Sequence, residues 1–97
     1  MPYFVYILYS KSTGQFYKGQ TSDIKERINR HNEQREVFTS SGAPWMLLWK
    51  ISKETRQEAL LLEKKLKNLS QERLIQFMKN YSEGIVGADE LFLLEQF

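Results

Sequence analysis

The chain opens on an unbroken apolar and aromatic run, Tyr3-Phe4-Val5-Tyr6-Ile7-Leu8-Tyr9. Such a run predicts a strand over residues 3–9 covered on both faces. Ser10 to Gly14 has turn chemistry, and Gln15 to Gln20 predicts the partner strand of a hairpin. The period then becomes helical. Ile24 and Ile28 form one stripe, and Arg27 and His31 another. Thr21 or Ser22 is expected to cap this helix, with Glu26 placed to complete a capping box, and it should run to about Glu33. Gln34 to Pro44 is polar and reads as a loop; Pro44 also disfavours helix at Ala43. Trp45 to Ile51 predicts a third strand, on which strict alternation puts Trp45 and Trp49 on one face.

The most clearly helical segment follows, from Ser52 or Thr55 to about Leu69. Its core face is Ala59, Leu62, Leu66 and Leu69. Ser70 should cap a third helix with Leu74, Ile75, Phe77 and Met78 as its apolar contacts. Gly84 and Gly87 end the regular pattern, and Asp89 to Phe97 predicts a short amphipathic helix docked on the body. The order β-β-α-β-α-α implies an α/β fold: a small three-stranded, mainly antiparallel sheet with helices packed on it. Two units are expected, a domain over residues 1–81 and an acidic, apolar tail over 82–97.

Composition narrows the class. Ninety-seven residues with 41% hydrophobic content make one modest core. No apolar run approaches the ~18 residues of a membrane span, and Met1-Pro2-Tyr3 enters the first strand without signal-peptide architecture. A cytoplasmic protein without membrane contact is expected. No cysteine and one histidine exclude disulfides, thiolate sites and multi-histidine zinc sites. Any metal should be a hard cation held by oxygen, Mg²⁺ or Mn²⁺. The net charge is +2, but residues 82–97 carry four acids and no base. The first 81 residues therefore hold fourteen bases against eight acids, a net of +6 that suits a nucleic-acid partner.

Several side chains could carry chemistry. Tyr6 and Tyr17 are eleven apart, and opposed residues of an antiparallel hairpin share a face. An even-length turn would put both phenols on one face; strand tyrosines also commonly serve as core aromatics. Arg27 and His31 lie one turn apart on a polar helix face. A guanidinium suits bidentate phosphate contact. An imidazole can donate to phosphate or move a proton, and one near a helix C-terminus can equally bond the last carbonyls. Glu63 follows three leucines and is flanked by Lys64, Lys65 and Lys67. A single carboxylate with waters and a substrate phosphate can hold Mg²⁺. Lys67 could touch backbone phosphate or pair with Glu63. Lys11, Lys18, Arg35, Lys50 and Lys53 could line a nucleic-acid path or be ordinary surface.

The ordered set resembles the GIY-YIG nuclease family. Its first motif appears as Phe4-Val5-Tyr6 and its second as Tyr17-Lys18-Gly19. Thr21, Asp23, Ile24, Arg27, Ile28 and His31 are similar to the family's Thr-x-Asp-Leu-x-x-Arg-Leu-x-x-His run, and Glu63 matches its metal-binding helix. The resemblance spans roughly residues 3 to 80. It is closest to the small stand-alone members, related to the nuclease module of the bacterial excision-repair incision enzyme. Phe4 replaces the first glycine of GIY, Lys18 replaces the isoleucine of YIG, and Asn68 and Asn80 are the candidates for the family's asparagine. The resemblance implies a Mg²⁺- or Mn²⁺-dependent endonuclease cutting DNA, branched or single-stranded, by structure more than by sequence. It implies catalytic Tyr6, Tyr17, Arg27, His31 and Glu63, with Glu63 on the metal and Lys18 and Lys67 on nucleic acid. One tyrosine would activate water and the other position it; either assignment is open. With no room for a separate recognition domain, a protein partner could supply specificity. Two rival classes keep the fold: a non-catalytic nucleic-acid-binding module, and an interaction domain using the acidic tail.

Overall fold

A computed structural model describes residues 2–33 and 42–97. The loop expected over 34–44 falls largely outside them, as does Arg35. Three strands, β1 (Tyr3–Ser10), β2 (Phe16–Thr21) and β3 (Trp45–Lys53), alternate with α1 (Ile24–Asn32), α2 (Arg56–Lys67), α3 (Gln71–Asn80), a 3₁₀ turn (Ser82–Gly84) and α4 (Ala88–Glu95). The sheet order is β2-β1-β3, antiparallel throughout. This is the predicted α/β arrangement, with β1 central because both its faces are apolar: Val5, Tyr6, Ile7 and Leu8 are all fully buried.

The two sheet faces have separate cores. Val5 and Ile7 join Leu48, Trp49, Ala59, Leu66, Leu74, Met78 and Leu94 in the larger one, which α2, α3 and α4 cover. Tyr6, Leu8 and Trp45 form the smaller one, with Ile24 and Ile28 of α1 packed on it. α4 contributes Leu94 to the larger core, and Phe97 just beyond it lies edge-on to Tyr9 and beside Phe16, each at 5.7 Å between ring centres.

Two local expectations are corrected. Trp45 and Trp49 do not share a face. The β1–β3 register shifts between Ile7 and Leu8, so that Ile7 opposes Trp49 but Leu8 opposes Leu47. Leu48 is the extra residue of a bulge, and one inserted residue reverses the alternation beyond it. Trp45 therefore packs with Tyr6, while Trp49 packs with Ile7 and donates its indole N–H to the Tyr81 carbonyl. The cap of α1 is Asp23, not Thr21 or Ser22: its carboxylate accepts from the Glu26 N–H at 3.1 Å. Thr21 is occupied earlier, its hydroxyl accepting from the Asp23 N–H at 3.1 Å, which turns the chain from β2 into the helix. Thr55 and Ser70 cap α2 and α3, each bonding the third following N–H.

Candidate active site

The β1–β2 pairing sets Tyr6 opposite Gly19 and Leu8 opposite Tyr17. Tyr6 and Tyr17 are thus diagonal neighbours on one face, their rings 6.2 Å apart. Gly19 has a specific part in this. A Cβ there would lie 2.6 Å from the Tyr6 hydroxyl and 3.1 Å from the Tyr17 ring. The Tyr6 phenol therefore lies across the bare backbone of β2, with its oxygen towards the sheet edge. A side chain at 19 would occupy that path. In the sequence Gly19 reads only as a motif letter; its role follows from the register.

α1 brings the second pair. Its last turn buries His31, whose Nε2 is 3.1 Å from the Tyr6 oxygen. With the proton on the phenol, the Tyr6 O–H donates to that nitrogen. The imidazole also packs on Tyr17 at 4.7 Å between ring centres. Asn32 fixes the end of the helix, because its side-chain oxygen accepts from the Trp45 N–H at the start of β3. Trp45 in turn closes over Tyr17 at 6.4 Å. Arg27, one turn before His31, approaches the same phenol. Its Nε is buried and has no acceptor among the described residues.

The Tyr6 environment shows which charges face it. Burial first, then the neighbouring Tyr17, pushes the phenol well above its usual range. The Arg27 guanidinium opposes this by its charge and its N–H groups, and the Glu63 carboxylate adds a further upward push. Glu63 comes from α2, which packs on the other sheet face. Its charge still acts on Tyr6 from there, as the smallest of the influences on the phenol, which is fully buried with its oxygen over the Gly19 backbone. The Glu63 side chain is only 17% exposed and takes a 3.3 Å ion pair from Lys67, itself 53% exposed. Lys18, on the β2 face opposite Tyr17, lies beside Lys67; burial and then that like charge pull its ammonium below the usual range. Tyr6, Tyr17 and His31 thus form one contact cluster, Arg27 bonds the Tyr6 phenol, and Glu63 is near enough to act on that phenol by charge while paired with Lys67, which has Lys18 beside it.

Among the described residues no three His, Asp or Glu side chains converge, so a cage of protein ligands is excluded there. A half-enclosed carboxylate, together with a buried guanidinium N–H that lacks an acceptor, instead suits a hard cation bound by one protein oxygen, water and a phosphate. The residues present fit Mg²⁺ or Mn²⁺ in that form. No helix among the described residues is long and apolar enough to cross a membrane.

Comparison with known proteins gives a consistent picture. The family model of the GIY-YIG catalytic domain matches residues 2–79. A UPF0213 protein of Streptococcus agalactiae is 29% identical over 82 residues, 84% of this chain and 92% of that one. A UPF0213 protein of Staphylococcus aureus is 31% identical over 78 residues, 79% of this chain and 94% of the other. The solution NMR structure of the UPF0213 protein BH0048 from Bacillus halodurans superimposes with a TM-score of 0.54 at 30% identity, covering 81% of this chain and 84% of that one. With a catalytic-domain match over four-fifths of its length, on a fold that gathers both motif tyrosines at one edge, the chain belongs to the GIY-YIG nuclease family and has UPF0213 proteins as relatives.

Proposed function

We propose that this protein is a divalent-metal-dependent endonuclease that hydrolyses DNA phosphodiesters at the Tyr6–Glu63 edge, selecting DNA structure over sequence. The observation that carries the reading is the cluster of two phenols, an imidazole and a guanidinium over the Gly19 backbone, with the Glu63 carboxylate close enough to act on the Tyr6 phenol by charge.

Tyr6 is a poor free base, because its buried environment disfavours the phenolate. Coupled to His31 it becomes a relay. The Tyr6 oxygen takes a proton from the attacking water as its own proton passes to His31 Nε2, so no isolated phenolate forms; the water oxygen bonds to phosphorus as the bond to the leaving sugar oxygen breaks, and that oxygen takes its proton from solvent. Tyr17, half-buried beside both groups, orients the water or the phosphate. Arg27 directs its unsatisfied N–H at the charge that grows on the phosphorane oxygens. Glu63 would hold Mg²⁺ or Mn²⁺, which when bound supplies Lewis-acid charge to the phosphate oxygens. Lys18 and Lys67 hold backbone phosphates on either side of Glu63.

The test is Glu63→Gln, which keeps shape and removes charge. Incubated with labelled single-stranded and branched DNA and Mn²⁺, the variant should cut at least about 100-fold more slowly than the parent. EDTA should abolish cleavage by the parent. Cleavage at parental rate by the variant, or in EDTA, would remove Glu63 from the reaction. Binding by the parent without cutting would identify a non-catalytic module.

A further inference from the structure

Phe4 stands where the family motif has glycine, and nothing in the mechanism uses it. It lies two residues from Tyr6 on the same face of β1, roughly 7 Å along the strand. It is half-buried and belongs to neither core. Its cross-strand neighbours are polar: Thr21 on β2 and Ser52 on β3. Lys50, directly opposite Tyr6, is exposed, and its ammonium lies 6.0 Å from the centre of the Phe4 ring. That is the outer limit of a cation–π contact, so the ring is only loosely capped. Among the described residues no carboxylate pairs with Lys50. An aromatic plate, a cation and a hydroxyl thus lie on the Tyr6 face of the sheet, the plate one same-face step from Tyr6 and the cation directly across from it.

We propose that Phe4 and Lys50 form a subsite for one unpaired nucleotide next to the scissile phosphodiester, the base stacking on the Phe4 ring and its phosphate meeting the Lys50 ammonium. The inference rests on the nuclease reading for the word scissile, but not for the stacking itself. It explains how a small domain selects DNA by structure. A paired base has both faces occupied by its neighbours and cannot reach the ring, whereas an unpaired or splayed base can. Every base has a π-face, so the preference is indifferent to sequence.

The experiment separates stacking from cutting. Binding of a short oligothymidylate carrying a single 2-aminopurine is followed by fluorescence in EDTA, with the 2-aminopurine placed in turn at each position. At the position that meets Phe4, the parent should quench the probe. Phe4→Leu should lose that quench and bind roughly 5- to 150-fold more weakly, the cost of one lost base stack. Phe4→Trp should retain both, and a thermal melt on each variant reports folding. Lys50→Gln should reduce the log–log salt slope by about one contact. A matching duplex should show no dependence on Phe4. Parent-like binding and quenching by folded Phe4→Leu overturns the subsite even if the parent cuts DNA. A Phe4-dependent quench in a parent that cuts nothing leaves the subsite standing and removes the nuclease reading. No position quenched by the parent overturns it outright.

Discussion

Tyr6 and Tyr17 are bound to a common environment by three small features: the Gly19 gap, the His31 acceptor and the odd spacing of the hairpin pair. Because the rings are 6.2 Å apart and both contact His31, the two hydroxyls should behave as one unit. Tyr6→Phe and Tyr17→Phe each remove one oxygen from a packed ring and should leave the fold intact. Each is expected to lower kcat/KM for DNA cleavage. The double variant should lose less, on a logarithmic scale, than the two single losses added together, because the second hydroxyl has little left to assist. Measured rates for the four proteins decide it, and strictly additive losses would mean the phenols act on separate steps.

At the scale of elements, α1 is the piece whose placement matters most to the site, since it carries both Arg27 and His31. It has nine residues, too few to be stable alone in water, so it depends on its ends and on Ile24 and Ile28 packed against the smaller core. Asp23 holds the first end and Asn32 the last. Asp23→Ala should cost about 1 kcal/mol, lowering Tm by roughly 4–8 °C in a domain of this size. Cleavage should fall with it below the melting range, because a frayed first turn loosens Arg27. A melt unchanged within about 1 °C would show that packing alone sets the helix. The bulge at Leu48 is the other decisive element. By turning Trp45 onto the Tyr17 side, it completes the wall behind the phenols that strict alternation would have left to another residue.

For the whole molecule, charge and size set how DNA is found. The first 81 residues carry +6 and the last sixteen −4. The acidic segment packs through Leu94 and Phe97 on the face away from Tyr6. Affinity should therefore be weak and nearly indifferent to sequence. A handful of phosphate contacts from Arg27, Lys18, Lys67 and Lys50 predicts a log–log salt slope of roughly −3 to −4. Phosphate contacts carry no base information, so discrimination should appear between DNA shapes and not between sequences of one shape. Titrations of two unrelated single strands and one branched substrate across a salt series test this. Strong preference between the unrelated strands with a flat salt response would point to base readout.

Local physics made much of this legible in the chain itself. The apolar run of β1, the helical period of α2 and the Thr55 and Ser70 caps are each written in adjacent residues, and the α/β order follows from them. The shared face of Tyr6 and Tyr17 was also readable, because strand alternation turns an odd spacing into common orientation once the turn is even. What the sequence could not determine depends on contacts between elements. The extra residue at Leu48 has no local signature and separates Trp45 from Trp49 only through its pairing with β1. Asp23 wins the cap from Thr21 because the threonine hydroxyl is already used in the turn. The influence of Glu63 on a phenol of the opposite sheet face, and the lie of that phenol over the backbone of residue 19, come from how α2 and β2 sit against β1. Periodicity assigns a residue to its own element's face; which edge two elements share is decided by packing in three dimensions.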